Sequence, residues 1–231
     1  MSVIIGERYH SVLAESLAAQ GMEPIWMPDN SLFDPRLAGH ADLSFIRRDG
    51  QIIASKGQKR ELVKILANRG CVVSFAEKSE GMAYPMDAGL CALDTGRYLI
   101  CNPKTVDPAV LRLFSDRVLV PVSQGYTRCA AAVVNEHSII TADAGVSTAA
   151  KRAGLDVLDI AAGAVKLDGF PEGFIGGASF LLNKDTLAFV GSLDEHPDKA
   201  SILAFLQQKH VRPLFLAKWP LIDIGGAVAL P

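Results

Sequence analysis

One pattern recurs along this sequence and leaves few folds open. The stretches LSFIRRDGQIIAS (43–55), LCALDTGRYLICN (90–102), AAVVNEHSIITAD (131–143) and SFLLNKDTLAFVG (179–191) are each an apolar run, a polar turn and a second apolar run, which reads as a β-hairpin. A helix-like stretch follows each one. GQKRELVKILANRG places Leu62, Ile65 and Leu66 on one face and stops at Gly70. DPAVLRLF opens with Asp107 as a cap and Pro108 at the first helical position. GVSTAAKRAG and HPDKASILAFLQQKH follow the same plan, and the short strands CVVSF, RVLVPV, DVLDI and RPLFL come next. The unit is strand, strand, helix, strand, in four complete copies.

The two ends supply the parts of a fifth copy. SVIIG, HSVLAESLAAQG and EPIWMP match a second strand, a helix and a third strand, and GGAVALP matches a first strand. The equivalent positions Ile5, Ile53, Ile100, Ile140 and Phe189 are separated by 48, 47, 40 and 49 residues, and counting on from Phe189 through Pro231 to Ile5 gives 47. These spacings predict one α/β domain over residues 1–231. The expected form is a five-bladed, pseudo-fivefold β/α-propeller of ββαβ repeats, its ring closed by pairing of the C-terminal strand with the N-terminal one. Closure of that kind removes exposed strand edges.

Composition narrows the function. The chain is 49% apolar and 21% charged, enough for a sizeable core, and its 23 basic and 25 acidic residues give a net charge of -2. No run of like charge forms a patch for nucleic acid or a membrane surface. The first residues, MSVIIGERYH, are too polar for a signal peptide and no stretch reaches membrane-spanning length, so a cytoplasmic protein is expected. The four cysteines, Cys71, Cys91, Cys101 and Cys129, lack CxxC or metal-finger spacing, so reduced thiols without a metal or other cofactor are the expectation.

The repeat brings the third-to-first connections, the second-strand ends and the helix N-termini to one face. Long loops gather there, among them PDNSLFDPRLAGHAD, AEKSEGMAYPMDAG and AAGAVKLDGFPEGFIGGA, and such a face is the expected functional one. Five ββαβ units with a split terminal unit resemble the pentein fold of guanidino-group-modifying enzymes: arginine deiminases, dimethylarginine hydrolases and amidinotransferases. The segments QGYTRC, LDGFPEGFIGGAS, DEHPD and PLIDIGG further resemble a narrower, uncharacterised family assigned that fold. The resemblance implies a site in which carboxylates grip a guanidinium, a His moves protons and a Cys near the C-terminus attacks the guanidino carbon. Here the last stretch, IGGAVALP, has no Cys. Two functions therefore stay open: a hydrolase or transferase acting on a guanidino or amidine small molecule at an axial site, and a non-catalytic protein that binds a small molecule or another protein.

Aligning the first strands brings His40, Asp87, Arg128, Gly176 and Ile224 to corresponding entrance positions. Cys129 follows Arg128, whose charge could depress a thiol pKa, so it is either a relocated nucleophile or a small buried thiol. Cys71 and Cys91 read as core. His40 beside Asp42 is an acid/base pair or a loop cap. Asp87 and Asp223 each precede a strand and either bind a cation or pair internally, for instance with Arg128. His196 lies at a helix start, with capping by its aspartate neighbours the plainer role and ligand contact the sharper one. The pairs Gly176/Gly177 and Gly225/Gly226 let backbones approach one another or a ligand.

Overall fold

The computed structural model describes residues 1–230. The chain begins with β1 (Ser2–Gly6), a 3-10 turn at Glu7–Tyr9, α1 (His10–Ala19) and β2 (Glu23–Met27). The second unit is α2 (Ala41–Ser44), β3 (Phe45–Arg48), β4 (Gln51–Ala54), α3 (Arg60–Asn68) and β5 (Val72–Phe75). Then come β6 (Leu93–Asp94), β7 (Tyr98–Cys101), α4 (Pro108–Leu113) and β8 (Val118–Pro121), followed by α5 (Thr127–Ala130), β9 (Ala131–Asn135), β10 (Ser138–Thr141), α6 (Ala144–Arg152) and β11 (Asp156–Asp159). β12 (Ser179–Asn183), β13 (Thr186–Phe189), α7 (Lys199–Gln208), β14 (Arg212–Phe215) and β15 (Val228–Ala229) complete it.

Local chemistry sets the helix starts. Asp107 accepts from the Ala109 N–H with Pro108 at the first position of α4, and Asp143 accepts from the Val146 N–H at the start of α6. In α3, Leu62 and Leu66 are buried, whereas Ile65, expected on the same face, is 44% exposed. The strands are short, four or five residues in most and two in β6 and β15.

Five similar units are present, each a central strand with an antiparallel first strand and a parallel third strand. The expected closed propeller ring is not. The five sheets are separate: none continues into the next by hydrogen bonds, and none closes on itself. β15 pairs with β1 through Val3↔Ala229 and Ile4↔Val228, and this pairing completes one three-stranded sheet and extends no further. Side chains do the joining instead. Ile4, Ile25, Ile52 and Leu66 pack together between the first and second units, and Val3, Ile5, Phe180 and Val190 between the first and last. Third strands keep free edges, with Val72 68% and Phe215 41% exposed.

A second correction bears on the site. The stretches just before β3 and β9, expected to be loops entering strands, with Leu43 and Ser44 already in the first strand, are the one-turn helices α2 and α5. Leu43 and Cys129 from these two turns pack against Phe33 and Cys91, and Asp42 and Arg128 line the cavity beside them.

Leu230 is 4% exposed among the residues shared by the first two units, and its N–H donates to the Ser2 carbonyl at 2.8 Å. Leu230→Ala is expected to cost about 2–4 kcal/mol in urea denaturation, whereas Leu119→Ala, at a residue 46% exposed, should cost under about 0.5 kcal/mol.

Candidate functional site: a buried acidic centre with two thiols

Glycines hold the strand entrances together. The Gly177 N–H donates to the Cys129 carbonyl at 3.1 Å, and the Gly177 carbonyl accepts from Ile224 at 3.0 Å and Gly226 at 2.7 Å. The Asp42 N–H in turn donates to the Gly225 carbonyl at 3.0 Å. Side chains have no room in this lattice. A Cβ on Gly177 would lie 1.9 Å from Asp223 Oδ1, and one on Gly176 would lie 2.4 Å from the Arg128 carbonyl oxygen. At Gly225 the φ is 72° and a Cβ would lie 2.4 Å from that of His40, so both conformation and space require glycine.

The lattice positions a charged cluster. Asp223 is 2% exposed, its Oδ1 accepting from the Gly225 N–H and its Oδ2 from the Phe174 N–H, both at 2.9 Å. His40 Nδ1 lies 3.9 Å from Asp223 Oδ1, and His40 Nε2 is buried without a hydrogen-bond partner. The Asp42 carboxylate, from α2, accepts the Cys129 thiol hydrogen from α5 at 3.0 Å through Oδ2, and its Oδ1 has no partner. Cys91 Sγ sits 3.5 Å from Cys129 Sγ. Asp87 Oδ2 accepts from the Tyr126 hydroxyl at 2.8 Å while its Oδ1 is buried without a partner.

Burial dominates the electrostatics. It pushes the Asp223 carboxyl above the usual carboxylate range, partly countered by His40 and reinforced by the charge of Asp42. Burial also raises Asp87, against the hydrogen bond from Tyr126. The Cys129 thiol is held well above its ordinary value by its contact with Cys91, by burial and by the charge of Asp42. Arg128 does not act on it as expected: its guanidinium donates to the Gly176 carbonyl at 3.1 Å and the Ser179 carbonyl at 3.5 Å. Among the described residues, the polar partners of Cys129 Sγ are Cys91 and Asp42, with no imidazole at hydrogen-bond distance.

On one side, Phe33, Leu37, Tyr126 and Phe174 cover the thiols. On the other, a central cavity of about 280 Å³ is lined by residues of β3, β6, β9, β12 and β15, with Asp42 and Arg128 among its walls. His196 lies elsewhere. Its Nδ1 accepts from the Asp198 N–H at 3.0 Å, it shares no hydrogen bond with the cluster, and burial lowers its pKa. The structure thus brings together His40, Asp42, Cys129, Asp223 and the four glycines, and reaches Asp87 through Tyr126. Sequence reasoning missed the contacts of Cys91 and the Tyr126 hydroxyl. Cys91 stands 38 residues from Cys129 and looks like any apolar strand residue; only its place shortly after the Asp87 entrance hinted at the centre.

Solved structures share this architecture. Over 98% of this chain and 95% of theirs, the coordinates of DDAH from Pseudomonas aeruginosa complexed with citrulline superpose with a TM-score of 0.57 at 9% identity. Agmatine deiminase from C. jejuni gives 0.56 at 8% identity, covering 94% of this chain and 86% of that one. SxtG, an amidinotransferase from Microseira wollei in the saxitoxin biosynthetic pathway, gives 0.54 at 10% identity, with coverage of 93% and 87%. At these identities the likeness is one of fold: that of the pentein guanidino-modifying enzymes. Residues 4–228 match a family of unknown function, DUF6873, and the chain belongs to that family. No curated protein matches the sequence.

The raised carboxyls carry a sign. The folded state binds the Asp87 and Asp223 protons more tightly than the unfolded state, so ionising them at neutral pH lowers stability, and stability recovers as pH falls through their folded pKa values. Asp87→Asn keeps an acceptor for Tyr126 and removes the buried charge. It is expected to raise Tm by about 2–4 °C near pH 7.5, and the gain should shrink over the acidic range as the wild-type carboxyl takes up its proton. Differential scanning fluorimetry across that range checks it.

Proposed function

We propose that this protein binds a small guanidinium- or amidinium-bearing molecule at its centre. The observation that carries the reading is charge without compensation. Asp42, Asp87 and Asp223 are each 2–3% exposed, and among the described residues none is paired with a Lys or Arg. Buried carboxylates left this way are costly, and a cation resolves the cost. A planar guanidinium fits best because it offers paired donors to carboxylate oxygens, and Asp42 and Asp87 each have one oxygen free. His40, with Nε2 unpartnered, is the group placed to exchange a proton with the ligand. Arg128 borders the central cavity that Asp42 also lines, where it would receive an anionic substituent of such a ligand. The glycines at 176, 177, 225 and 226 shape the site; His196 stands outside it.

Binding a cation requires ionised carboxylates, and those of Asp87 and Asp223 hold their protons more tightly than usual because they are buried, so affinity rises with pH. Calorimetric titration with arginine and alkylguanidines is expected to show Kd falling between about pH 5.5 and 7.5, with proton release on binding. Asp223→Asn should weaken binding about ten- to hundredfold, the loss of one charge-assisted contact. Absence of binding by every guanidino compound, or equal affinity for wild type, Asp42→Asn and Asp223→Asn, overturns the reading.

The contact between the Cys129 thiol and Asp42 favours a second reading, covalent catalysis as a hydrolase or transferase. Cys129 would pass its proton to Asp42 and bond to the guanidino carbon; the C–N bond would break, and the amine would leave with a proton from His40. Water, or an acceptor amine in a transferase, would then displace sulfur, giving its proton to His40 while Cys129 regains its own from Asp42. A thiol-directed amidine probe should label wild type and spare Cys129→Ala; equal labelling of both sinks this second reading.

A further inference from the structure

We infer that Asp42, Cys91 and Cys129 form a binding site for a thiophilic divalent cation, Zn²⁺ by preference, at the inner end of the central cavity. The inference goes beyond organic-cation binding and rests on two thiols that binding does not need. One carboxylate oxygen and the two sulfurs lie within 4.8 Å of one another, and all three residues are buried. Asp42 Oδ1, on a side chain 3% exposed overall, has no hydrogen-bond partner.

The spacing suits a tetrahedral ion. With Zn–S near 2.3 Å and Zn–O near 2.0 Å, two thiolate sulfurs stand about 3.8 Å apart and a sulfur and an oxygen about 3.5 Å apart. Here the separations are 3.5 Å for Cys91 to Cys129 and 3.0 Å for Cys129 to Asp42. Widening these two separations by about 0.3 and 0.5 Å, with the Cys91 sulfur and an Asp42 oxygen within 4.8 Å of each other, reaches the tetrahedral spacing, and the ion replaces the S–H···O and S–H···S contacts.

The donor set selects the metal. Two thiolates favour Zn²⁺ over Mg²⁺ or Ca²⁺, which take oxygen ligands. An iron–sulfur cluster would need more cysteines, and Cys71 and Cys101 pack in separate parts of the core. Three protein ligands leave the fourth position open. Asp42 also lines the cavity formed between the first strands, the side from which a fourth ligand would enter. Thiolate ligation displaces thiol protons, so uptake releases protons and tightens as pH rises.

Co²⁺ titration of the reduced full-length protein tests the site, because thiolate-to-cobalt charge transfer and intense tetrahedral d–d bands report the ligands directly. One equivalent is expected to develop both bands, and Zn²⁺ should abolish them by displacement. Cys91→Ser and Cys129→Ser should each lose most of the charge-transfer band, while Cys71→Ser and Cys101→Ser keep it. Asp42→Asn, close to isosteric, should weaken Co²⁺ binding at least about tenfold, and it decides the matter if a cysteine variant fails to fold by circular dichroism. No thiolate band in wild type, or unchanged affinity in Asp42→Asn, overturns the inference.

Discussion

The close approach of backbone to backbone at four glycines is the constraint on which the centre depends. Gly176, Gly177, Gly225 and Gly226 put main-chain donors and acceptors where side chains would otherwise stand. Hydrogen bonds among them tie α5 and α2 to the segments leading into β12 and β15. Because the sheets share no hydrogen bonds, this lattice and the apolar packing between neighbouring units are what hold five small sheets in register with each other. Asp223 is fixed by two backbone N–H groups of the same lattice, so the charge at the centre and the architecture around it have one origin.

That centre is organised against its own stability. A core assembled for packing alone would not gather three carboxylates, an imidazole and two thiols behind Phe33 and Phe174, with several polar atoms lacking partners. Groups arranged in this way gain when something charged enters. The thiol pair and the carboxylates occupy adjoining positions with Asp42 common to both, so an occupant of one set alters the field felt by the other.

Much of the fold was legible because period-2 hairpins and capped helices leave local signatures, and five units at nearly constant spacing reinforce one another. The closed ring was not legible correctly. Hydropathy shows that a strand is buried on a face, but it cannot distinguish a neighbour joined by hydrogen bonds from one joined by side-chain packing. The one-turn helices α2 and α5 were hidden for a related reason: ADLS and TRCA are too short for a 3.6-residue period to appear. His40, Asp42 and Asp223 could be found from their places at the entrances. Cys91 could not, because what makes it notable is a contact with Cys129 across two units. Arg128 was read as a neighbour of Cys129 or a partner for a carboxylate, and its guanidinium instead meets carbonyls of a distant segment that no local pattern announces.

The sheet built from both ends of the sequence has a consequence for synthesis. β1, α1 and β2 are made first, yet β1 gains its antiparallel partner only when β15 emerges. Until β15 is made, β1 therefore presents an unpaired edge and the apolar side chains of Val3, Ile4 and Ile5, a surface open to chaperones and to neighbouring nascent chains. Pairing with β15 is then a long-range step that follows synthesis of the four intervening units, and it falls beside the same lattice that forms the centre.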